Sequence, residues 1–249
     1  EYGVTTAYGK ATNAKPRTTI GTFSIPITGL FPGMTFHYRA KAESGTQGIA
    51  YGTDMTFTTV SDATTPYGLA KFAFISARDG NEEVYAVTPD NVYLARLTNS
   101  TFKEAWPRFA PDFSKITFTT WRDGNAEVYV MNPDGTGQTQ LTNDAAFNGM
   151  SDFSWDKSKI AFVSDRDGNY DLYVMNPDGT DVRNLTNHPA SDTAPVPSPD
   201  GRRIAFQSNR DNNNEIYVLD LETGAQINLT NNRANDHSPT WSPAGSSIA

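Results

Sequence analysis

The chain has 249 residues, of which 37% are hydrophobic, 12% aromatic and only 19% charged, and its formal net charge is −8. Such an acidic surface repels phosphate, which sets nucleic acid aside as a partner. With no cysteine there is neither a disulfide frame nor thiol chemistry, and no apolar run reaches the roughly 18 residues of a membrane-spanning helix.

Nineteen glycines and fifteen prolines beside 14 Phe and 11 Tyr suit many short strands joined by tight turns. No apolar stripe of helical period is present. The first strand-like stretch begins at Glu1-Tyr2-Gly3, a second is Thr22–Thr28 (TFSIPIT), and a third, Tyr51–Thr59, closes the segment. Between them stands Gly29-Leu30-Phe31-Pro32-Gly33-Met34-Thr35-Phe36-His37-Tyr38-Arg39. This stretch resembles the second half of a fibronectin type III domain. Residues 1–60 are therefore expected to form a partial Ig/fibronectin-III-like sandwich whose first two strands are missing. Phe36 takes the place of that family's corner tyrosine, so the tyrosine's hydroxyl bond is expected to be absent. Residues 61–66 read as a linker.

From residue 67 onward one period governs the chain. RDGN stands at Arg78–Asn81, Arg122–Asn125 and Arg166–Asn169 and returns as RDNN at Arg210–Asn213, each step 44 residues. A tyrosine follows each arginine by seven residues (Tyr85, Tyr129, Tyr173, Tyr217), and Leu-Thr-Asn recurs from Leu97, Leu141, Leu185 and Leu229. Three markers in one register through four copies mean a repeated supersecondary unit.

The third copy predicts four strands: Asp152–Ser154, Lys159–Ser164, Asp171–Met175 and Asp181–Leu185. Ile160-Ala161-Phe162-Val163 is continuously apolar, so its strand is expected to be covered on both faces. Meander sheets covered on both faces and repeated radially are the blades of a β-propeller; a stacked linear solenoid is the rival.

Ser198–Val218, reading SPDGRRIAFQSNRDNNNEIYV, resembles the TolB-like, WD-related propeller repeat, as do Ala110–Val130 and Ser154–Val174. The expected fold is all-β: a TolB-like β-propeller over residues 67–249 with four 44-residue blades visible and an incomplete ring, cut within a blade at Ser246–Ala249. The first copy is the most divergent and has no recognisable first strand. The resemblance implies a bacterial periplasmic, cell-surface or secreted protein that binds partners on one face.

Chemistry is sparse. His37, His188 and His237 have no metal-ligand spacing, and Ser151 lacks the second glycine of a nucleophile elbow. Asp165, Asp167, Asn169 and Asp171 place oxygens at alternate residues, as a calcium loop does; against this, glycine is at the fourth place and no twelfth-position Glu follows. A hairpin turn accounts for the same residues, and calcium is the one cofactor weighed.

Stepping back by 44 from Asp236 gives Asp192, Asn148 and Glu104, each just ahead of an innermost strand. In a ring they are expected to gather at one mouth of the channel and attract a cation or basic peptide. The reading is a non-catalytic binding or scaffold module with a protein or peptide partner, including other copies of itself. Its alternatives are a structural subunit of an extracellular polymer, whose copies complete one another's β-domains, and an accessory propeller of a larger hydrolase.

Overall fold

In a computed structural model the structure describes residues 35–44, 48–58, 72–88 and 94–249, with residues 1–3, 6, 8, 11, 12, 14, 16, 25 and 27. Two units are formed, Glu1–Leu69 and Ala70–Ala249. The expected linker 61–66, and most of the strand expected at Thr22–Thr28, lie outside the described residues.

The first unit holds β1 (Tyr2–Gly3), β2 (Thr35–Tyr38), β3 (Lys41–Ser44), β4 (Gly48–Tyr51) and β5 (Met55–Thr58). β2 lies between β1 and β5 in an antiparallel sheet, while β3 and β4 form a hairpin. Phe36 is buried and stacks on Phe57, with centroids 5.8 Å apart. The strand expected over 51–59 is broken at Gly52–Asp54, where the chain passes from pairing with β3 to pairing with β2, and Asp54 accepts the Tyr8 hydroxyl at 2.7 Å and lies 2.8 Å from His37 Nδ1. His37, on β2, is thus a half-buried partner of Asp54.

The second unit repeats one sheet. Its first described sheet is β6 (Phe72–Ser76), β7 (Glu83–Val87) and β8 (Leu94–Arg96). Next come β9 (Glu104–Phe109), β10 (Ile116–Thr120), β11 (Glu127–Met131) and β12 (Thr139–Gln140). The third sheet is β13 (Asn148–Phe153), β14 (Ile160–Ser164), β15 (Asp171–Met175) and β16 (Arg183–Asn184), and the fourth β17 (Asp192–Pro197), β18 (Arg203–Ser208), β19 (Glu215–Asp220) and β20 (Gln226–Asn228). Each is an antiparallel meander. A bridge between Trp241 and Ile248 opens a further one.

The core lies between sheets. Every residue of β14 is buried. Ile160 and Phe162 face back to Val128 and Ala110 of the preceding sheet, while Ala161 and Val163 face forward to Ile204, Phe206 and Leu219. Both faces of one strand are used, which explains why its sequence is a run and not an alternation. The first strands of successive sheets also pack on each other, β9 on β13 and β13 on β17, as in the inner strands of a propeller.

The described inner strands are longer than expected, six residues instead of three in the third copy, and β9, β13 and β17 each carry a bulge. At the bulge a non-glycine residue turns to positive φ: Trp106 (47°), Met150 (52°) and Ala194 (51°), again 44 apart. A bulge strengthens local twist and re-aims a side chain, here at the strand that faces the axis. Outer strands are shorter than expected, only Arg183–Asn184 in the third copy.

Candidate binding face

The turns between second and third strands, and the loops that lead to each next inner strand, share one end of the sheets. The RDGN motif builds this end. Its arginine lies over the two rings of its own sheet, as Arg166 does 5.6 Å from Phe162 and 4.9 Å from Tyr173, and its Nε donates to the hydroxyl ending the second strand, Ser164 at 3.0 Å. The motif's aspartate accepts the tyrosine hydroxyl: Asp79 from Tyr85, Asp123 from Tyr129, Asp167 from Tyr173 and Asp211 from Tyr217. The asparagine donates to two carbonyls of the following loop: Asn125 to Asp144 and Ala146 at 2.8 and 2.7 Å, Asn169 to His188 and Ala190 at 2.8 and 3.0 Å. The Thr of Leu-Thr-Asn accepts a third-strand amide, as Thr142 does from Val128 at 2.9 Å. These motifs are one hydrogen-bonded frame, which satisfies polar groups that burial would otherwise strand.

The four residues expected at a channel mouth begin or precede the inner strands, and three are fully buried. Asp192 receives Arg210 Nη2 on both oxygens at 2.9 Å. Asn148 accepts Arg166 Nη2 at 2.8 Å and donates to Glu127 at 3.2 Å and Asp144 at 2.9 Å. Glu104 accepts Ser100 Oγ at 2.8 Å, Thr120 Oγ1 at 3.1 Å and Arg122 Nη2 at 3.3 Å. Asp236, half-buried, accepts Asn232 Nδ2 at 2.7 Å. The first three lie beneath the surface, where each meets an arginine of its own sheet and Glu104 and Asn148 also bond to the blade before. The reason is the RDGN arginine, which reaches back across the sheet and draws each side chain inward.

The residues weighed for calcium likewise have other duties. Asp165 Oδ1 accepts the Phe147 amide at 2.8 Å, Asp167 takes the Tyr173 hydroxyl, and Asn169 turns its amide nitrogen to the loop carbonyls. Asp171 accepts Thr186 Oγ1 at 3.0 Å and the His188 amide at 3.1 Å. Among the described residues no cluster of three or more His, Cys, Asp or Glu could hold a metal ion. Ser151 is buried on β13, and His188 Nδ1 accepts the Ala190 amide at 3.0 Å, capping its own loop.

The sequence reading missed a run of aromatic rings at this end. Trp121 and Trp106 have centroids 6.0 Å apart, Trp106 and Phe147 6.0 Å, and Phe147 and Tyr170 5.3 Å. The positive φ of Trp106 brings it into the run, and Lys103 Nζ lies 5.4 Å from the Trp121 ring. Trp106 and Tyr170 are 39% and 38% exposed. The four come from two adjacent sheets and from positions that hold other residue types elsewhere in the repeat, so periodicity hid them.

No curated protein matches the chain. Among solved structures it is similar to TolB from Acinetobacter baumannii, 18% identical with a TM-score of 0.64 over 88% of this chain and 59% of that one. It is similar to a putative TolB from Agrobacterium tumefaciens, 24% identical with a TM-score of 0.59 over 63% of this chain and 59% of that one. A puromycin hydrolase matches at 13% identity and a TM-score of 0.58, over 84% of this chain and 39% of the hydrolase. The chain thus spans 59% of the length of either TolB structure. The family described as the TolB beta propeller domain (PD40) matches residues 70–193 and 183–249. With that match over most of its length, set on sheets that repeat as blades, the chain belongs to the TolB β-propeller family.

Proposed function

We propose that the chain is a non-catalytic binding or scaffold module of the bacterial cell envelope or exterior, which takes a protein or peptide partner on the propeller face carrying the RDGN turns. The run Trp121–Trp106–Phe147–Tyr170 carries this reading. Exposed aromatic rings on a rigid scaffold supply large contact area at little entropic cost, and they anchor interfaces. In this reading Glu104, Asn148, Asp192 and Asp236 belong to the frame under the rings, and the first unit is a fibronectin-type-III-like spacer.

The test exploits two exposed tryptophans at opposite ends of two adjacent blades. Trp106 belongs to the aromatic run, whereas Trp155 sits in the turn between first and second strands. A photo-crosslinking residue placed at 106 is expected to give a discrete adduct in cell-envelope extract. The same residue at 155 is expected to give none, and Tyr170→Ala should abolish the adduct at 106. Equal adducts from both positions would overturn the reading.

A second reading rests on the likeness of fold to the puromycin hydrolase: the chain as accessory propeller of a larger hydrolase. A hydrolase domain in the same reading frame would establish it.

A further inference from the structure

Blades meet at a polar joint near the start of each inner strand. One side comes from the third strand of one blade and the other from the first residue of the next blade's inner strand. In the joint of the second and third described blades the pair is Glu127 and Asn148, and the amide donates to Glu127 Oε2 at 3.2 Å. The joint before it pairs Glu83 with Glu104, two fully buried carboxyl groups.

Their Oε1 atoms are provided for. Glu83 Oε1 accepts Arg96 Nη2 at 2.7 Å and the Ser100 amide at 2.9 Å. Glu104 Oε1 accepts Ser100 Oγ, Thr120 Oγ1 and Arg122 Nη2. Ser100 therefore bridges the two acids, and the Glu104 amide donates to the Glu82 carbonyl at 2.9 Å, fixing the backbones together. Both Oε2 atoms are buried with no partner among the described residues. Two ionised carboxylates cannot leave such oxygens unanswered where solvent has no access to them, since neither has a hydrogen to give.

We propose that Glu83 and Glu104 share one proton, which does for this joint what the Asn148 amide does for the next, and that the joint loosens when the proton leaves. Both cations that face the pair fit this assignment. Arg96 closes on Glu83 to 2.7 Å, the length of a bond to an ionised partner, while Arg122 stays 3.3 Å from Glu104, as from a neutral one. The other charges nearby are occupied at the surface: Lys103 pairs with Glu82 at 3.0 Å, and Asp79 lies 3.8 Å from Arg96. Burial, then the Glu83 carboxylate, push the Glu104 carboxyl up to about 7, while Glu83 lies below the usual range, held there by Thr98, Glu104 and Arg96 against its burial.

The sign follows from linkage. A carboxyl raised by folding binds its proton more tightly in the closed joint, so its contribution is complete below the ordinary glutamate range and is lost as pH rises through about 7. Between about pH 6 and pH 8, opening of the joint should rise roughly tenfold.

The test is infrared titration of the whole chain with only glutamate carboxyls carbon-13 labelled, so that aspartates stay silent. One glutamic acid carbonyl band should persist to a midpoint of about 7 and be missing from Glu104→Gln. Amide exchange in β6–β8, corrected for intrinsic rate, should rise about tenfold from about pH 6 to pH 8, and Glu104→Asn, which copies the neighbouring joint, should flatten it. Wild-type glutamates that are all ionised by about pH 5.5 would overturn the proposal with no variant needed. So would β6–β8 exchange that follows pH equally in wild type and Glu104→Asn. Should either Glu104 variant fail to fold, Glu83→Gln serves, and is expected to move the band's midpoint down.

Discussion

The blades β13–β16 and β17–β20 share a backbone and a motif yet differ at both ends. At the RDGN end, Arg166 meets the neutral Asn148, with Asp144 at the surface as second partner, 3.0 Å away, whereas Arg210 clamps the buried carboxylate of Asp192 through both oxygens. At the other end, one blade turns through Asn176-Pro177-Asp178-Gly179 and the next through Asp220-Leu221-Glu222-Thr223-Gly224. Gly179 has φ +84°, and a Cβ there would lie 2.6 Å from the Leu141 carbonyl oxygen of the preceding blade; Gly224 has φ +72° and open space around it. One repeat can therefore be held by a buried charge pair at its top and a free turn below, or by a buried amide and a surface ion pair above and a backbone wedge below. Equivalent positions in a repeat are not equivalent in energy.

Substitution can break that contrast, and the arginines should do so most. Arg210→Ala leaves Asp192 charged and buried, and should cost about 3–5 kcal/mol. Arg166→Ala strands a buried amide oxygen and unpairs Asp144, whose ion pair at the surface counts for little, and should cost about 1–2 kcal/mol. Denaturant midpoints of the two variants check the difference, and equal losses would mean that Asp192 is not carried as an ion. The glycines come next. Gly179→Ala combines a left-handed backbone with a clash against main chain and should cost about 2–3 kcal/mol, Gly224→Ala about 1 kcal/mol from the backbone alone. Thermal unfolding of the pair reads this directly.

The smallest expected effect concerns Asp152 of β13, whose counterpart one period on is Val196. Burial raises its carboxyl to about 7, against the opposing charge of Arg108. Stability from the protonated form is complete below the ordinary aspartate range and declines as pH rises through about 7. Asp152→Asn should thus be more stable than wild type at about pH 8, by about 1 kcal/mol once its partial solvent contact is allowed for. Unfolding curves at about pH 5 and pH 8 check it; the gain should be smaller at the lower pH.

Much of the fold was legible because the period registers both loops and strands. Arg166, Tyr173 and Leu185 each mark one point of a meander, and the apolar run 160–163 told that both its faces are covered. The bulge at Trp106, Met150 and Ala194 was not legible, since three unlike side chains adopt it and tertiary packing imposes the backbone. Glu104 and Asp192 read as residues just ahead of inner strands; the structure makes them the first residues of β9 and β17, fully buried, and that burial was not legible. Their burial depends on an arginine 18 residues later, across a sheet. The aromatic run was hidden for the opposite reason: Trp121 and Tyr170 hold positions that the repeat leaves free to vary, as Asp165 and Ala126 show at the same places in other copies.

The motif asparagine has a consequence for how such a chain is made. Asn81, Asn125, Asn169 and Asn213 each grip the loop that introduces the next inner strand, and a carbonyl beside each receives that strand's first amide, as at Tyr170 and Asp192. Every finished blade thereby holds out a ready-made berth for its successor. A polypeptide leaving the ribosome amino end first can add its modules one at a time, with no need to wait for the last before settling the first.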